Sequence, residues 1–168
     1  MGPAVKINGS SIASDILVIG IGNEYAQDDA AGLLVARKLK EEVRDNIRII
    51  ESGGDGVSLI EAWKGVSSAI VIDSVRSGAE PGKIHRLEAH REPLPARPFR
   101  GSTHAFGLYE AVELARSLNQ LPQRLIVYGI EGRNFRAGSK ISRAITRALK
   151  GVTRSILEEL KVLRHLSL

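Results

Sequence analysis

Ile16-Leu-Val-Ile-Gly-Ile-Gly-Asn-Glu-Tyr-Ala-Gln-Asp-Asp-Ala-Ala-Gly32 decides how the rest of this 168-residue chain is read. An apolar run stops at Gly20 and Gly22, crosses a polar loop and reaches two adjacent acids, Asp28 and Asp29. Leu33, Leu34, Val35 and Leu39 then follow at helical spacing. Strand, glycine turn and helix in this order set the two carboxylates at the carboxyl edge of a parallel sheet. In open α/β sheets that edge is where ligands bind.

Outward from this stretch the pattern repeats. The first strand is expected at about Asp15–Ile21 and the first helix from about Asp28 to Val43, with Gly32, Ala36, Leu39 and Val43 on one face. Ile47–Glu51 reads as a second strand, broken by Ser52-Gly-Gly-Asp-Gly56; Val57–Trp63 is a short helix, with Trp63 packing it. Ser68–Asp73 is a third strand, continuous and apolar as buried parallel strands are, and Asp73 closes it. A turn over Ser77–Gly82 leads to a fourth strand at Lys83–Glu88, and an irregular loop carrying Pro93, Pro95 and Pro98 follows. Gly101-Ser-Thr-His104 enters a helix whose apolar stripe is Leu108, Ala111, Val112, Ala115 and Leu118. Arg124–Ile130 is a fifth strand, Glu131 to Gly138 a polar loop, and a long last helix carries Ile141, Ile145, Ala148, Leu149, Val152, Ile156, Leu160 and Leu163 on one face. The expected fold is a three-layer α/β/α sandwich with a mostly parallel sheet of about five strands. Residues 15–168 form a single domain in this reading, and 1–14 a flexible N-terminal extension.

Composition narrows the function classes. Hydrophobic residues make up 43% and charged residues 26%, ordinary values for a globular chain long enough to bury a core. No apolar run approaches the roughly 20 residues that cross a bilayer, and the opening lacks an apolar signal core, so a cytoplasmic protein with no membrane partner is expected. Cysteine is absent, which removes disulfides, thiolate zinc sites and cysteine nucleophiles together. The net charge is +5, but the basic residues are scattered, apart from a cluster of Arg86, Arg91, Arg97 and Arg100 beside His85 and His90. A solvated basic loop accounts for that cluster, and no nucleic-acid partner is expected.

The motifs exclude several chemistries. A dinucleotide fingerprint needs a third glycine where Tyr25 stands, and Asp28-Asp29 would repel a pyrophosphate at the helix start. Neither a Gly-x-Ser-x-Gly elbow nor a His-Glu-x-x-His pair occurs, and His85 and His90 read as surface residues. What remains is Asp29, Asp73 and His104, each placed at or above the carboxyl edge of the sheet. Two carboxylates and an imidazole make a divalent-metal site with open positions. Each also has a plainer reading: the acids suit a helix start, Asp73 a strand-end turn, and His104 a helix cap. The functional reading rests on their convergence, with Asp28 capping the helix and Asp29 left to meet a metal.

In order along the chain, Gly20-Ile-Gly-Asn23, Asp28-Asp29-x-x-Gly32, Gly53-Gly-x-Gly56, Ile70-Val-Ile-Asp73, Ser102-Thr-His-x-x-Gly-Leu108 and Tyr128-Gly-Ile-Glu131 resemble the endopeptidases that mature nickel–iron hydrogenases. The resemblance spans about Ile16 to Ile130. It implies a protease that cuts a C-terminal extension from the precursor of a nickel–iron hydrogenase large subunit after nickel insertion. It also implies that nickel is carried by the substrate as the recognition signal. By the same resemblance Asp29, Asp73 and His104 are the catalytic and metal-contacting residues, and Gly53, Gly54 and Gly56 help engage substrate. A metal-assisted step and an acid-pair step by Asp29 and Asp73 are both open at this point. Many relatives carry glutamate where Asp29 stands and have more acidic surfaces; the Arg91–Arg100 loop here suits an acidic partner surface. Gly20-Ile-Gly-Asn23-x-Tyr25 also resembles the opening of peptidyl-tRNA hydrolases, but Asp28-Asp29 occupy the region of their catalytic histidine. A catalytically inactive metal-sensing binding protein of the same fold is the third reading.

Overall fold

β1 (Ile16–Ile21) and β3 (Ser68–Val75) are buried at every position and pair in parallel, Ile16 opposite Ser68 through Gly20 opposite Ile72. In the computed structural model, which describes residues 16–44, 47–99, 104–138 and 140–166, they form the middle of a five-stranded sheet in the order β2-β1-β3-β5-β4. β2 (Arg48–Ser52) and β5 (Arg124–Glu131) are also parallel to their neighbours; β4 (Ile84–Glu88) runs antiparallel to β5. The β3–β4 link is short and holds no helix, so the chain turns back on itself, whereas each parallel connection passes through a helix. The edge strands β2 and β4 are only half covered, which is why their sequences mix apolar and charged residues.

Alternation along the strands divides the core in two. Ile16, Val18, Ile70, Ile72, Ile126, Tyr128 and Ile130 face α1 (Ala31–Glu42) and α5 (Arg143–Leu166). Leu17, Ile19, Ile21, Ala69, Val71, Val75, Leu125 and Val127 face α2 (Gly56–Trp63), the short α3 (Ala96–Phe99) and α4 (Leu108–Ser117). The result is the three-layer α/β/α sandwich. Trp63 is buried in the second cluster, and the α5 stripe from Ile145 to Leu163 is buried as its spacing requires, whereas Ile141 precedes the helix and is only partly buried.

Several local expectations change. The helix expected from Asp28 begins as a 3-10 turn at Gln27–Ala30, and the α-helix proper starts at Ala31. Asp73 does not close β3: the strand continues to Val75, with Asp73, Ser74 and Val75 paired to Gly129, Ile130 and Glu131 of β5 beyond the end of β1. Leu118 lies past the end of α4 and is 54% exposed, because the helix stops at Ser117 before the stripe reaches it. His85 and His90 are partly covered rather than plain surface residues. His85 meets the Glu131 carboxylate at 3.3 Å, and His90 Nδ1 lies 3.2 Å from the Leu125 backbone. The proposed extension, residues 1–14, and Arg100–Thr103 lie outside the described residues.

Candidate active site

From β1 the chain goes to one side of the sheet and from β3 to the other, so the β1–β3 crevice is the topological switch point of this sheet. Two glycines let the helix layer close on it. A Cβ at Gly22 would strike the backbone carbonyl of Asp29, and one at Gly32 the carbonyls of Ile21 and Ile72. Without side chains there, the 3-10 turn sits directly on the strand ends. The Asn23 N–H donates to the Asp29 carbonyl at 3.2 Å, and the Gly22 N–H to the Ser52 carbonyl at 3.0 Å. Gln27, just before the acids, holds a left-handed φ of 48°, fixed by its N–H bond to the Gly138 carbonyl at 2.8 Å.

Asp28 and Asp29 do different work, and it is the capping expected of Asp28 that the structure corrects. Asp28 is fully buried and caps nothing: neither the 3-10 turn nor α1 has a side-chain cap. Its Oδ2 accepts the N–H groups of Arg133 and Asn134 at 2.7 and 3.0 Å, and Oδ1 that of Ser142 at 2.7 Å. Burial opposes its charge, but the bonds from Ser142, Asn134 and Arg133 outweigh it and hold the carboxyl below its ordinary range. Asp28 thus ties the loop after β5 to the turn that carries Asp29.

Asp29 lines the crevice instead, with one oxygen accepting the Ser74 hydroxyl at 2.8 Å. The Ser74 N–H in turn donates to Asp73 Oδ1 at 2.8 Å, so one serine links the two carboxyl groups. Asp73 is buried. That burial, followed by the neighbouring charge of Asp29, pushes its carboxyl well above the ordinary range despite the Ser74 bond. Two carboxyl groups on opposite sides of a serine, one of them holding its proton more tightly, form a unit that can give and take protons.

His104 lines the same crevice. It is not the cap of α4, whose N-cap is Gly107, three residues further on. Its Nε2 lies 3.0 Å from the Gly53 carbonyl, which can only accept; Nε2 therefore carries the hydrogen, and in the neutral ring the lone pair is on Nδ1. A backbone carbonyl holding one ring nitrogen is how metal-ligating histidines are commonly oriented. Gly53 and Gly54 also line the crevice, Gly54 with a φ of 92° that favours glycine. Gly56 does not: it is buried, with no room for a Cβ beside the Phe106 ring, and its N–H donates to the Phe106 carbonyl at 2.8 Å, fixing the segment that carries His104.

The crevice encloses about 100 Å³, well below the several hundred that a nucleotide fills. It gathers Asp29, Asp73 and His104 along one opening, yet among the described residues no three His, Cys, Asp or Glu side chains are close enough to hold an ion by themselves. Ser74 escapes the sequence reading, which ends the strand at Asp73, two residues before Val75, and so does Glu131, which it places in a loop. Glu131 ends β5 and is buried, accepting from the Ser77 N–H and hydroxyl, the Gly78 N–H and His85. Burial works against its charge, but those bonds hold it below the ordinary range. The apolar run of Arg124–Ile130 continuing into an acid was the available signal.

A buried Asp73 linked through Ser74 to a half-buried Asp29 at the switch point of a five-stranded α/β sheet, with an oriented histidine lining the same crevice, is a hydrolase-like arrangement rather than a nucleotide cradle. The chain belongs to the hydrogenase maturation protease family, whose model matches residues 33–159. Among curated relatives, the hydrogenase expression/formation protein HupD of Thiocapsa roseopersicina is 28% identical over 119 residues, covering 70% of this chain and 54% of its own. The chain therefore spans little more than half the length of that relative. Of solved structures, the Escherichia coli hydrogenase maturating endopeptidase HybD superposes with a TM-score of 0.75 at 21% identity, covering 87% of this chain and 91% of that one. The [NiFe] hydrogenase maturation protease HycI of Thermococcus kodakarensis gives 0.68 at 25% identity, covering 87% and 92%.

Proposed function

We propose that this chain is an endopeptidase that removes the C-terminal extension of a nickel-loaded large-subunit precursor of a nickel–iron hydrogenase. The observation that carries this reading is the Ser74-linked pair of Asp29 and Asp73, in one crevice with His104 at the switch point, in a chain of this family. Nickel in this reading is part of the substrate, not a resident cofactor. Asp29, Asp73 and His104 bring two carboxylates and an imidazole to one crevice, which suits an ion that arrives with other ligands already in place. Binding is then conditional on metal loading: a cation in the crevice favours the ionised form of Asp73, which burial and Asp29 disfavour in the free protein. No helix among the described residues is long and apolar enough to cross a membrane, and a cytoplasmic site of action belongs to the same proposal.

The geometry also offers an acid–base pair for the cleavage step. One carboxylate takes a proton from the attacking water, and the protonated carboxyl gives one to the leaving nitrogen. The two roles make opposite demands on Asp73. Metal recognition needs it ionised, so cleavage rises with pH through its elevated pKa; acid catalysis needs it protonated, so cleavage falls over the same range. The test is incubation of the protein with a nickel-loaded precursor across that range, read as a mobility shift. Cleavage by the wild type, lost in Asp73→Asn and absent for nickel-free precursor, is the expected result. No cleavage of any nickel-loaded precursor would sink the proposal.

A further inference from the structure

Beside the crevice lies a second, more open cleft whose chemistry is the reverse of the first. Arg76, Arg133 and Arg136 line it, with Asn134 and Phe135 between them. Arg76 and Phe135 line both openings, so the two are continuous along the sheet edge. Some arginines elsewhere are neutralised locally: Arg37 pairs with Glu51 and Glu24, Arg86 with Glu159 and Glu88, and Arg91 with Glu88. Among the described residues, no carboxylate pairs with Arg76, Arg133 or Arg136. The one acid in the cleft, Glu131, has both oxygens occupied by Ser77, Gly78 and His85.

The Arg76 side chain and the backbone of the loop carrying the other two arginines are also held in place. The Arg76 guanidinium stacks on the Phe135 ring, 3.8 Å from its centroid, and Gly132 leaves the room that ring requires. The loop carrying Arg133 and Arg136 is anchored by Asp28 through the Arg133 and Asn134 N–H groups. It is anchored again by bonds from the Asp28 N–H to the Asn134 carbonyl and from the Gly138 N–H to the Tyr25 carbonyl. The residue next to Asp29 in sequence thereby fixes the cationic loop relative to the crevice. We propose that this cleft is a substrate subsite for a carboxylate a few residues from the peptide bond held at Asp29 and Asp73. A peptide fits this arrangement better than a nucleic acid, whose phosphates would have to pass the two carboxyl groups of the adjoining crevice. Guanidinium groups take carboxylates in bidentate fashion, so the subsite would set register as well as affinity.

This inference rests on the proposed proteolytic reading, and its test does not depend on cleavage. Arginine Nε–H resonances of the labelled protein are followed while three blocked peptides are added: one with Asp and Glu side chains and an amidated end, its Asn/Gln counterpart, and an all-glycine peptide with a free carboxyl end. The acidic peptide should shift Arg76, Arg133 and Arg136, bind about tenfold more tightly than its amide counterpart, and lose that advantage in Arg133→Ala/Arg136→Ala and in about 0.5 M salt. Whether the all-glycine peptide shifts the same resonances tells a terminal from a side-chain carboxylate, either of which supports the subsite. Equal binding of the acidic and amide peptides overturns it, as does tighter binding of an oligouridylate to the same arginines. With a cleavable precursor, the double variant should act on KM rather than kcat. Unchanged KM alongside intact cleavage discards the subsite and leaves the proteolytic reading standing; absent cleavage with selective peptide binding does the opposite.

Discussion

Replacing Asp28 with asparagine tests the link between the acidic turn and the loop after β5. Three backbone N–H groups converge on this fully buried carboxylate, two on one oxygen and one on the other. Asparagine has a single acceptor oxygen. Whichever way its amide turns, its NH2 faces either the Ser142 N–H or those of Arg133 and Asn134, donor against donor. At least one charge-assisted bond is lost and one buried donor orphaned, together about 3–5 kcal/mol. At about 2–4 °C per kcal/mol for a domain of this size, the midpoint should fall by about 10 °C. Urea unfolding and calorimetry near neutral pH measure this directly. The pH dependence has a defined sign: the Asp28 carboxyl is held below its ordinary range, so its contribution is present above the unfolded-state pKa and is lost as pH falls through the folded-state value. The gap between wild type and Asp28→Asn should therefore narrow in acid. Hydrogen exchange supplies the control: the amides of Arg133, Asn134 and Ser142 should lose protection more than those of Leu33 and Leu34 at the start of α1. A loss below about 1 kcal/mol, or deprotection confined to α1, would refute the loop-anchoring argument and restore helix capping.

Other perturbations address the crevice itself. Asp73→Asn should raise the melting temperature near neutral pH while abolishing cleavage, because a carboxyl whose pKa is raised on folding destabilises the fold above its unfolded value; calorimetry should show the difference vanish in acid, and a lowered neutral-pH midpoint would count against it. Ser74→Ala removes the hydroxyl bonded to Asp29 and should cost about 1 kcal/mol and most cleavage, whereas Ser74→Thr, which keeps a hydroxyl, should recover part of the activity in the precursor assay. Gly22→Ala places a methyl against the Asp29 carbonyl and should destabilise by about 1–3 kcal/mol in urea melts; an unchanged midpoint would show that the turn does not rest on the strand as described.

The fold was largely legible because its signals are local. Continuous apolar runs mark the buried strands, helical spacing marks α1, α4 and α5, and glycines punctuate the turns between them. Asp29, Asp73 and His104 were legible as a group for the same reason, since strand ends and the loops after them are where a parallel sheet presents its side chains. The errors came where a local preference had a stronger distant competitor. Asp28 has the chemistry of a cap but is drawn to backbone donors up to 114 residues away. Leu118 fits a helical stripe that ends before it, and Asp73 ends the apolar run of β3 but not the strand, which continues to Val75 along β5.

By itself, then, the sequence determined the order of the elements, the parallel sheet and the edge at which its acids gather, all consequences of periodicity within short windows. Only the tertiary structure decided that Asp28 anchors the loop after β5 instead of capping the helix beside it. It also decided that Ser74 bridges to Asp29 across 45 residues and that Arg76 and Phe135 stack beside the pair. Those choices follow from strand register and from how closely the glycines let the helix layer approach, and neither is written in the residues that make the contacts.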